Sequence, residues 1–90
     1  MTSFEWDDEK EKKNIKKHGV SFGIAKRAFF DKHKTIIFDP KHSRIEERYY
    51  CLALVENDIL TVVFTRRNGK IRIISAGYWR KGRRMYGKKA

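Results

Sequence analysis

With 90 residues, 40 % of them hydrophobic and 37 % charged, the chain is too short to hold two cores and too apolar to remain disordered. We therefore expect one domain over residues 1–90. The net charge of +11 is uneven, because residues 59–90 contain 10 Lys/Arg and no acid, whereas residues 1–58 contain 12 Lys/Arg and 11 Asp/Glu. A cationic half predicts a nucleic acid or an acidic protein as partner, although a charged surface that only aids solubility is the alternative.

The sequence carries no signal for export or membrane insertion. Its first residues lack a basic segment followed by an apolar one, and no apolar run approaches the roughly 20 residues that span a bilayer. Cys51 is the only cysteine, which excludes an internal disulfide and fits a reducing compartment. We expect a cytoplasmic protein without membrane contact, in which Cys51 is an inert core residue.

A first helix is predicted to begin after Asp7 or Asp8, either of which can cap it, and to end at His18. Most of its residues are charged, so we expect it to lie on the outside of the domain. Trp6 and Ile15 are the apolar residues through which it is expected to dock.

A second helix is predicted after Ser21, whose side chain can cap it. Its apolar residues recur at spacings that gather them on one broad face, which is typical of a helix that packs on a sheet. These residues are Phe22, Ile24, Ala25, Ala28 and Phe29.

Four strands are predicted at residues 35–38, 48–55, 59–67 and 70–76, because β-branched and aromatic residues dominate these runs. Asn68-Gly69 predicts a two-residue type I′ turn between the last two strands, since both central residues of that turn have positive φ. The turn sets a register in which Thr65 lies opposite Arg72. Both side chains then share one face of the sheet.

A short terminal helix is predicted over residues 78–89, with Trp79, Met85 and Tyr86 as apolar anchors. Gly82 weakens this helix by about 1 kcal/mol relative to alanine. The complete pattern predicts an α+β fold, in which two N-terminal helices pack on a mainly antiparallel four-stranded sheet followed by a short C-terminal helix.

Arg72 is the strongest candidate for chemistry, because the second predicted strand brings further polar residues beside it. The turn between the second and third strands has three residues, which leaves their register open by one position. One register places Glu47 and Tyr49 on the Arg72 face, and the other places Arg48 and Tyr50 there. Either way, two or more arginines can surround a phosphate, whose oxygens suit the guanidinium fork.

Some of these side chains have alternative roles. Arg72 can form a structural ion pair with Glu46 or Glu47 instead of binding a phosphate. Arg66 falls on the opposite face in this register, from which it can still contact RNA at the sheet rim. Glu47 is a candidate general base if burial raises its pKa, whereas a carboxylate between arginines stays ionised.

The three histidines do not form an obvious catalytic or metal-binding set. His33 and His42 lie beside lysines in polar segments, which favours solvated side chains. His18 lies at a predicted helix C-terminus, where a capping role and a catalytic role are both consistent with its cation. Neither metal-ligand spacing nor a glycine-rich phosphate loop occurs, so we expect no metal and no cofactor.

Basic residues near the C-terminus predict a clamp on a nucleic-acid backbone, since phosphate contacts add affinity without sequence information and depend strongly on salt. They are Arg80, Lys81, Arg83, Arg84, Lys88 and Lys89. Lys17 and His18, at the end of the first helix, are further candidates for contact with RNA. A solvated tail is the alternative.

Four ordered segments form a more specific pattern than any one of them alone. They are Phe4-Glu5-Trp6-Asp7 followed by Lys10 and Asn14, then Lys17-His18-Gly19-Val20-Ser21-Phe22, then Glu46-Glu47-Arg48-Tyr49, and last Arg72-Ile73-Ile74-Ser75-Ala76. Over nearly its whole length the chain resembles the BrnT family within the RelE/ParE-like superfamily. The resemblance implies a RelE/ParE-like fold and an endoribonuclease that arrests translation.

The resemblance also implies partners and site residues. A BrnA-like antitoxin would neutralise the toxin, form a 2:2 assembly with it, and bind the operator DNA of the shared operon. Tyr86 resembles the residues that transfer protons in RelE-like enzymes, although it can instead anchor the terminal helix. The expected catalytic residues are Arg72, Glu47, Arg48, Arg66 and Tyr86.

The sequence departs from the BrnT pattern at one sensitive position. The last strand of that family usually continues Ser-Ala-Arg, whereas here Ser75-Ala76 is followed by Gly77. If the arginine holds the scissile phosphate, this chain is a weakened or inactive toxin that binds nucleic acid or antitoxin. Arg80, in the following turn, is the candidate to replace it.

Overall fold

The chain combines three α-helices with one sheet, and the computed structural model describes residues 2–42 and 44–87. The strands are β1 (Phe4–Glu5), β2 (Thr35–Asp39), β3 (Arg48–Val55), β4 (Asp58–Arg67) and β5 (Lys70–Gly77). The helices are α1 (Asp8–His18), α2 (Phe22–Ala25) and α3 (Arg80–Met85), with short 3₁₀ helices at Lys26–Phe30 and Pro40–His42. The α+β class is confirmed.

The sheet has five strands in the order β1-β5-β4-β3-β2, so the prediction of four strands was wrong. The added strand, β1, is parallel to β5 and pairs Phe4 with Ile71 and Glu5 with Arg72. A strand of two residues shows no alternation of polar and apolar side chains, and its partner lies far away in the sequence. Only the tertiary fold therefore reveals it.

Two tight turns fix the register of the three longest strands. Asn68 and Gly69 both have positive φ, and the predicted pairing of Thr65 with Arg72 is confirmed. The turn between β3 and β4 has two residues instead of three, because Glu56 and Asn57 also adopt positive φ. This turn pairs Arg48 with Thr65, and so selects Arg48 and Tyr50, not Glu47 and Tyr49, for the Arg72 face.

Trp6, just before α1, packs against the core and lies edge-on to Phe22, so its expected docking role is confirmed. Helix α1 also begins as predicted. Asp7 caps it by accepting from the backbone N–H groups of Glu9 and Lys10. Ile15 is 46 % exposed, so the expectation that it docks the helix was wrong. The neighbouring Asn14 is the buried residue of the helix, with 5 % exposure.

Asn14 docks α1 by completing the edge of β5. Its Oδ1 accepts from the backbone N–H of Ala76 at 3.1 Å, and its Nδ2 donates to the backbone oxygens of Ala76 at 2.9 Å and Val20 at 2.8 Å. Strand β1 has ended at Glu5, so no strand covers β5 beside Ala76. A side-chain amide carries the same donor and acceptor as a peptide group, and here it takes the place of the absent strand.

The second helical segment packs on the sheet as predicted, although in a tighter form. Ser21 caps α2 through the N–H of Ile24, but the α-helix ends after one turn and a 3₁₀ helix follows. The fully buried side chains from this segment and from the sheet form the core. They include Phe22, Ala25, Ala28, Val62, Phe64 and Ile73.

The terminal helix α3 lies on the other face of the sheet and is shorter than the predicted 78–89, whose last residues, 88 and 89, lie outside the described part of the chain. Gly82 is buried, and a Cβ at this position would collide with Oγ1 of Thr61 in β4. A glycine is therefore required here, although it weakens the helix, because α3 and β4 lie too close together for a larger residue. No helix of residues 2–42 and 44–87 has the length and apolarity required to cross a membrane.

We predict that Asn14→Ala lowers the free energy of unfolding by about 3 kcal/mol, because it leaves buried backbone groups of Ala76 and Val20 without partners. Lys13→Ala, one residue earlier on an exposed face, should change it by less than about 0.5 kcal/mol. Urea titration of both variants measures the difference. A loss below 1 kcal/mol in Asn14→Ala would show that α1 is held by other contacts.

Candidate functional site

One face of the sheet carries a row of five aligned residues, one from each strand, and four of them are charged. The registers align Glu5 of β1, Arg72 of β5, Thr65 of β4, Arg48 of β3 and Asp39 of β2. Aligned residues project from the same face, and the core lies on the opposite face, against α2. The row therefore presents two arginines between two carboxylates, on the face that α3 covers in part.

Arg72 is held by the N-terminal strand. Its guanidinium lies 3.1 Å from a carboxylate oxygen of Glu5, and both side chains are between one quarter and one third exposed. The expected partners have other contacts, since Glu46 binds Arg67 and Glu47 accepts from the hydroxyl of Tyr49. The predicted ion pair of Arg72 with Glu46 or Glu47 was therefore wrong, because the pairing with β1 had not been foreseen.

Thr65 separates the two arginines of the row. Adjacent strands lie about 4.8 Å apart, so the Cα atoms of Arg72 and Arg48 are about 10 Å apart across Thr65. The Thr65 side chain is buried, and its hydroxyl donates to the backbone oxygen of Glu47. Thr65 therefore lies between the two arginines with its side chain covered and its hydroxyl already bonded.

Asp39 lies at the other end of the row, at the centre of a hydrogen-bonded cluster. Its carboxylate accepts from the Tyr50 hydroxyl at 2.8 Å, from Nδ1 of His42 at 2.7 Å and from the backbone N–H of Lys41 at 3.2 Å. The pKa of Asp39 lies below its usual value although burial raises it. The main cause is the hydrogen bond from the Tyr50 hydroxyl, and the hydrogen bond from His42 adds to it. Burial and the nearby Asp39 raise the pKa of Tyr50.

The expectation of a solvated His42 missed this contact. The spacing Asp39-Pro40-Lys41-His42 was the available signal, because Pro40 begins a 3₁₀ helix in which residues three apart lie on one side. The imidazole remains largely exposed, with 62 % of its side chain open to solvent. One side of the His42 ring therefore contacts a fixed carboxylate, and the other side faces solvent.

A cleft of about 650 Å³ begins at this cluster and extends beneath α3. Its sheet wall includes Tyr50 and Val63, and its helix wall includes Trp79, Lys81 and Met85. The volume lies within the range of small-molecule pockets, and apolar walls with few polar groups suit a flat aromatic group. Across residues 2–42 and 44–87, no three His, Cys, Asp or Glu side chains are grouped as a metal site requires.

The side chains of three expected catalytic residues do not join the two arginines of the row. Glu47 and Arg66 lie on the core side of the sheet, beside the ring of Tyr49, which stacks on the buried Phe64. Tyr86 donates to Asp31 at 2.7 Å, and the same oxygen of Asp31 accepts from the N–H of Leu54.

Leu54 is six residues from Arg48 along β3, which separates their backbones by about 20 Å. Tyr86 therefore lies at the opposite end of the sheet from Arg48. Its pKa is raised by the hydrogen bond to Asp31. Cys51 is buried, which raises the pKa of its thiol to about 12, and its expected inert role in the core fits this position.

The expected RNA-binding residues separate into exposed and paired groups. Arg80, Lys81 and Arg84 are exposed on α3, whereas Arg83 makes two contacts with Asp58, at 3.0 and 3.2 Å. Arg83 therefore ties α3 to the start of β4. The exposed residues at the end of α1, Lys17 and His18, lie near α3, because the His18 ring packs edge-on against Trp79 with 5.1 Å between centroids.

Gly77 lies under the indole ring of Trp79. A Cβ at position 77 would collide with three atoms of that ring, and a side chain there would enter the space that Trp79 fills. Thr61, the partner of Gly77 in β4, lines the cleft, so position 77 lies on the same face as Arg72. The glycine and the tryptophan therefore form a matched pair at one wall of the cleft.

The fold and this face define a small basic α+β protein with two arginines in one row and further cations exposed on α3. The family model for BrnT, the ribonuclease toxin of type II toxin–antitoxin systems, matches residues 6–82, and the chain belongs to this family. Membership implies a toxin ribonuclease whose partner is an antitoxin protein. No curated protein matches the chain.

We predict that Gly77→Arg lowers the melting temperature, because the new side chain must displace the Trp79 indole. The double variant Gly77→Arg/Trp79→Ala should recover most of that loss relative to Trp79→Ala alone, since the space is then open. Thermal unfolding of the four proteins in this double-mutant cycle measures the coupling. Additive effects would contradict the matched pair.

Proposed function

We propose that this toxin cleaves RNA without a metal ion, on the sheet face that carries Arg72 and Arg48. The observation that carries this proposal is the alignment of the two arginines on either side of Thr65. Attack of a 2′-hydroxyl on the adjacent phosphate builds negative charge on the phosphorane oxygens. Two guanidinium groups fixed at that place stabilise this charge, because ionised donors bind phosphate oxygens strongly and positioned donors need no reorganisation.

The path of the RNA beyond the cleaved bond follows the remaining cations. Arg80, Lys81 and Arg84 on α3, with Lys17 and His18 beside it, contact the backbone and add affinity without reading sequence. Arg66 contacts RNA at the rim of the sheet. Glu47 and Tyr86 take no part in bond cleavage in this proposal, since the Glu47 side chain binds Tyr49 on the core side of the sheet and Tyr86 binds Asp31 at its far end.

The antitoxin is proposed to be BrnA-like and to neutralise the toxin by covering the same cationic surface. An acidic segment fits that surface by charge, and competition with RNA for it explains neutralisation. We further propose a RelE/ParE-like fold, a cytoplasmic 2:2 assembly that binds operator DNA through the antitoxin, and arrest of translation by the free toxin.

A second candidate is a protein of the same fold that binds RNA but cleaves it weakly. The observation that favours it is the position of the Trp79 indole, which occupies the space that a side chain at position 77 would need. In the BrnT pattern an arginine stands at this position. If that arginine is required for cleavage, the retained cations bind RNA without cutting it.

Purified toxin, free of antitoxin, is expected to cleave a labelled RNA in the presence of EDTA. Arg72→Ala and Arg48→Ala should each reduce the rate by about 100-fold, which corresponds to about 2.7 kcal/mol of lost stabilisation of the transition state. Arg27→Ala is the matched control, because it removes one arginine from an ion pair with Glu56 outside the row. Cleavage only with Mg²⁺ present would overturn metal independence, and binding without cleavage would favour the second candidate.

Binding of a single-stranded RNA should weaken steeply as salt rises, in proportion to the number of phosphates contacted. The double variant Arg80→Ala/Arg84→Ala should reduce the slope of log K against log salt by about 1.4, at about 0.7 for each lost contact. Arg27→Ala should leave the slope unchanged. Fluorescence anisotropy at several salt concentrations measures it, and equal slopes for all three proteins would exclude α3 from the RNA path.

A further inference from the structure

We propose that His42, oriented by Asp39, transfers the proton in the RNA cleavage reaction of this site. The inference rests on the proposed ribonuclease function and names the base that the arginine row lacks. It is carried by the contact of Nδ1 with the buried carboxylate and by the position of this pair at the end of the row. General acid–base catalysis requires such a group within hydrogen-bond reach of the reacting hydroxyl.

The local structure fixes both members of the pair. Asp39 is the last residue of β2, and the 3₁₀ helix Pro40–His42 follows at once. The Tyr50 hydroxyl and the backbone N–H of Lys41 also donate to the Asp39 carboxylate, so it is held from the sheet and from the turn. A carboxylate with these donors stays ionised at neutral pH. It therefore fixes the imidazole in one orientation.

The orientation determines the tautomer of a neutral His42. Nδ1 faces a carboxylate at 2.7 Å and donates its proton to it, so Nε2 carries the free lone pair. The imidazole is 62 % exposed, whereas the Asp39 side chain is only 9 % exposed. Nε2 can therefore reach a substrate while the group that orients the ring remains out of solvent.

The pair lies beside the proposed phosphate site. Asp39 is the register partner of Arg48, whose charge also acts on Tyr50. The cleft is lined by both members of the pair and by α3. The charged and titratable groups around His42 come from its own turn, from β2, from β3 and from α3. They are Lys41, Asp39, Arg48, Tyr50 and Lys81.

In the proposed step one proton moves from the 2′-hydroxyl to His42, and one P–O bond forms while another breaks. Nε2 of His42 takes the proton of the 2′-hydroxyl as the O2′–P bond forms, and Arg48 and Arg72 bind the phosphorane oxygens. The P–O5′ bond then breaks, and the leaving 5′ oxygen takes a proton from water. His42 releases its proton to solvent. The products are a 2′,3′-cyclic phosphate and a 5′-hydroxyl end.

His42→Ala should reduce cleavage of a labelled RNA in EDTA by about 100-fold or more, with an RNA affinity within about twofold of the wild type. His33→Ala is the matched control, because His33 also follows an aspartate in an exposed turn, where only its backbone N–H donates to Asp31. It should cleave at the wild-type rate. Added imidazole should restore part of the activity of His42→Ala and none of that of Arg72→Ala.

Asp39 acts through His42 and is a positioning residue. Asp39→Asn should lower kcat and leave KM within about threefold, because the amide can donate to Nδ1 and so turn the free lone pair away from the substrate. Added imidazole should restore activity to Asp39→Asn less than to His42→Ala, since the native ring still occupies the site. A similar fall of kcat together with a lost cooperative melt would instead make Asp39 purely structural.

Cleavage by the wild type tests the proposed ribonuclease function, and cleavage by His42→Ala tests the role of His42. Cleavage by the wild type that is unchanged in His42→Ala, or a lost rate that imidazole does not restore, would overturn the role of His42 and leave the ribonuclease in place. No cleavage by the wild type would overturn both. Cleavage lost in His42→Ala and restored by imidazole, with 2′,3′-cyclic phosphate ends on the product, supports both.

Discussion

The amide of Asn14 holds the fold together at the point where β5 would otherwise have an open edge. It pairs with both backbone groups of Ala76, 62 residues away, and also binds Val20 at the end of α1. Strand β1 covers the other end of the same edge and brings Glu5 beside Arg72. Helix α1 and β1 thus act together as one edge element, and the position of Arg72 depends on it.

The uneven charge of the sequence is partly neutralised by folding. Acids of the first 58 residues bind arginines of the second part, as Glu5 does with Arg72 and Asp58 with Arg83. These pairs are partly exposed, so their contribution to stability is small and their effect is mainly to fix geometry. Exposed cations remain on several elements, and those of α3 and of the end of α1 lie near each other because His18 packs against Trp79.

The cleft shows how one glycine can change a site without loss of the fold. Gly77 and Trp79 together fill the space at one wall of the cleft, and Gly82 allows α3 to lie directly on β4. A substitution at position 77 therefore affects the shape of the cleft as well as its charge.

Features that a few neighbouring residues encode could be predicted from the sequence. The Asn68-Gly69 turn fixed the register of Thr65 and Arg72, and the caps at Asp7 and Ser21 fixed where helices begin, because these signals depend on local φ values and nearby N–H groups. The four motifs also identified the family, which the match over residues 6–82 confirms.

Which charged groups meet depends instead on how distant parts of the chain pack together. The fifth strand, the amide of Asn14 on Ala76 and the pairing of Arg72 with Glu5 join residues more than 60 positions apart. No local pattern reports such contacts, because their energy depends on how the sheet edge is covered. The pair of Asp39 and His42 is local in sequence, yet it becomes a candidate site only because the sheet brings Arg48 beside it.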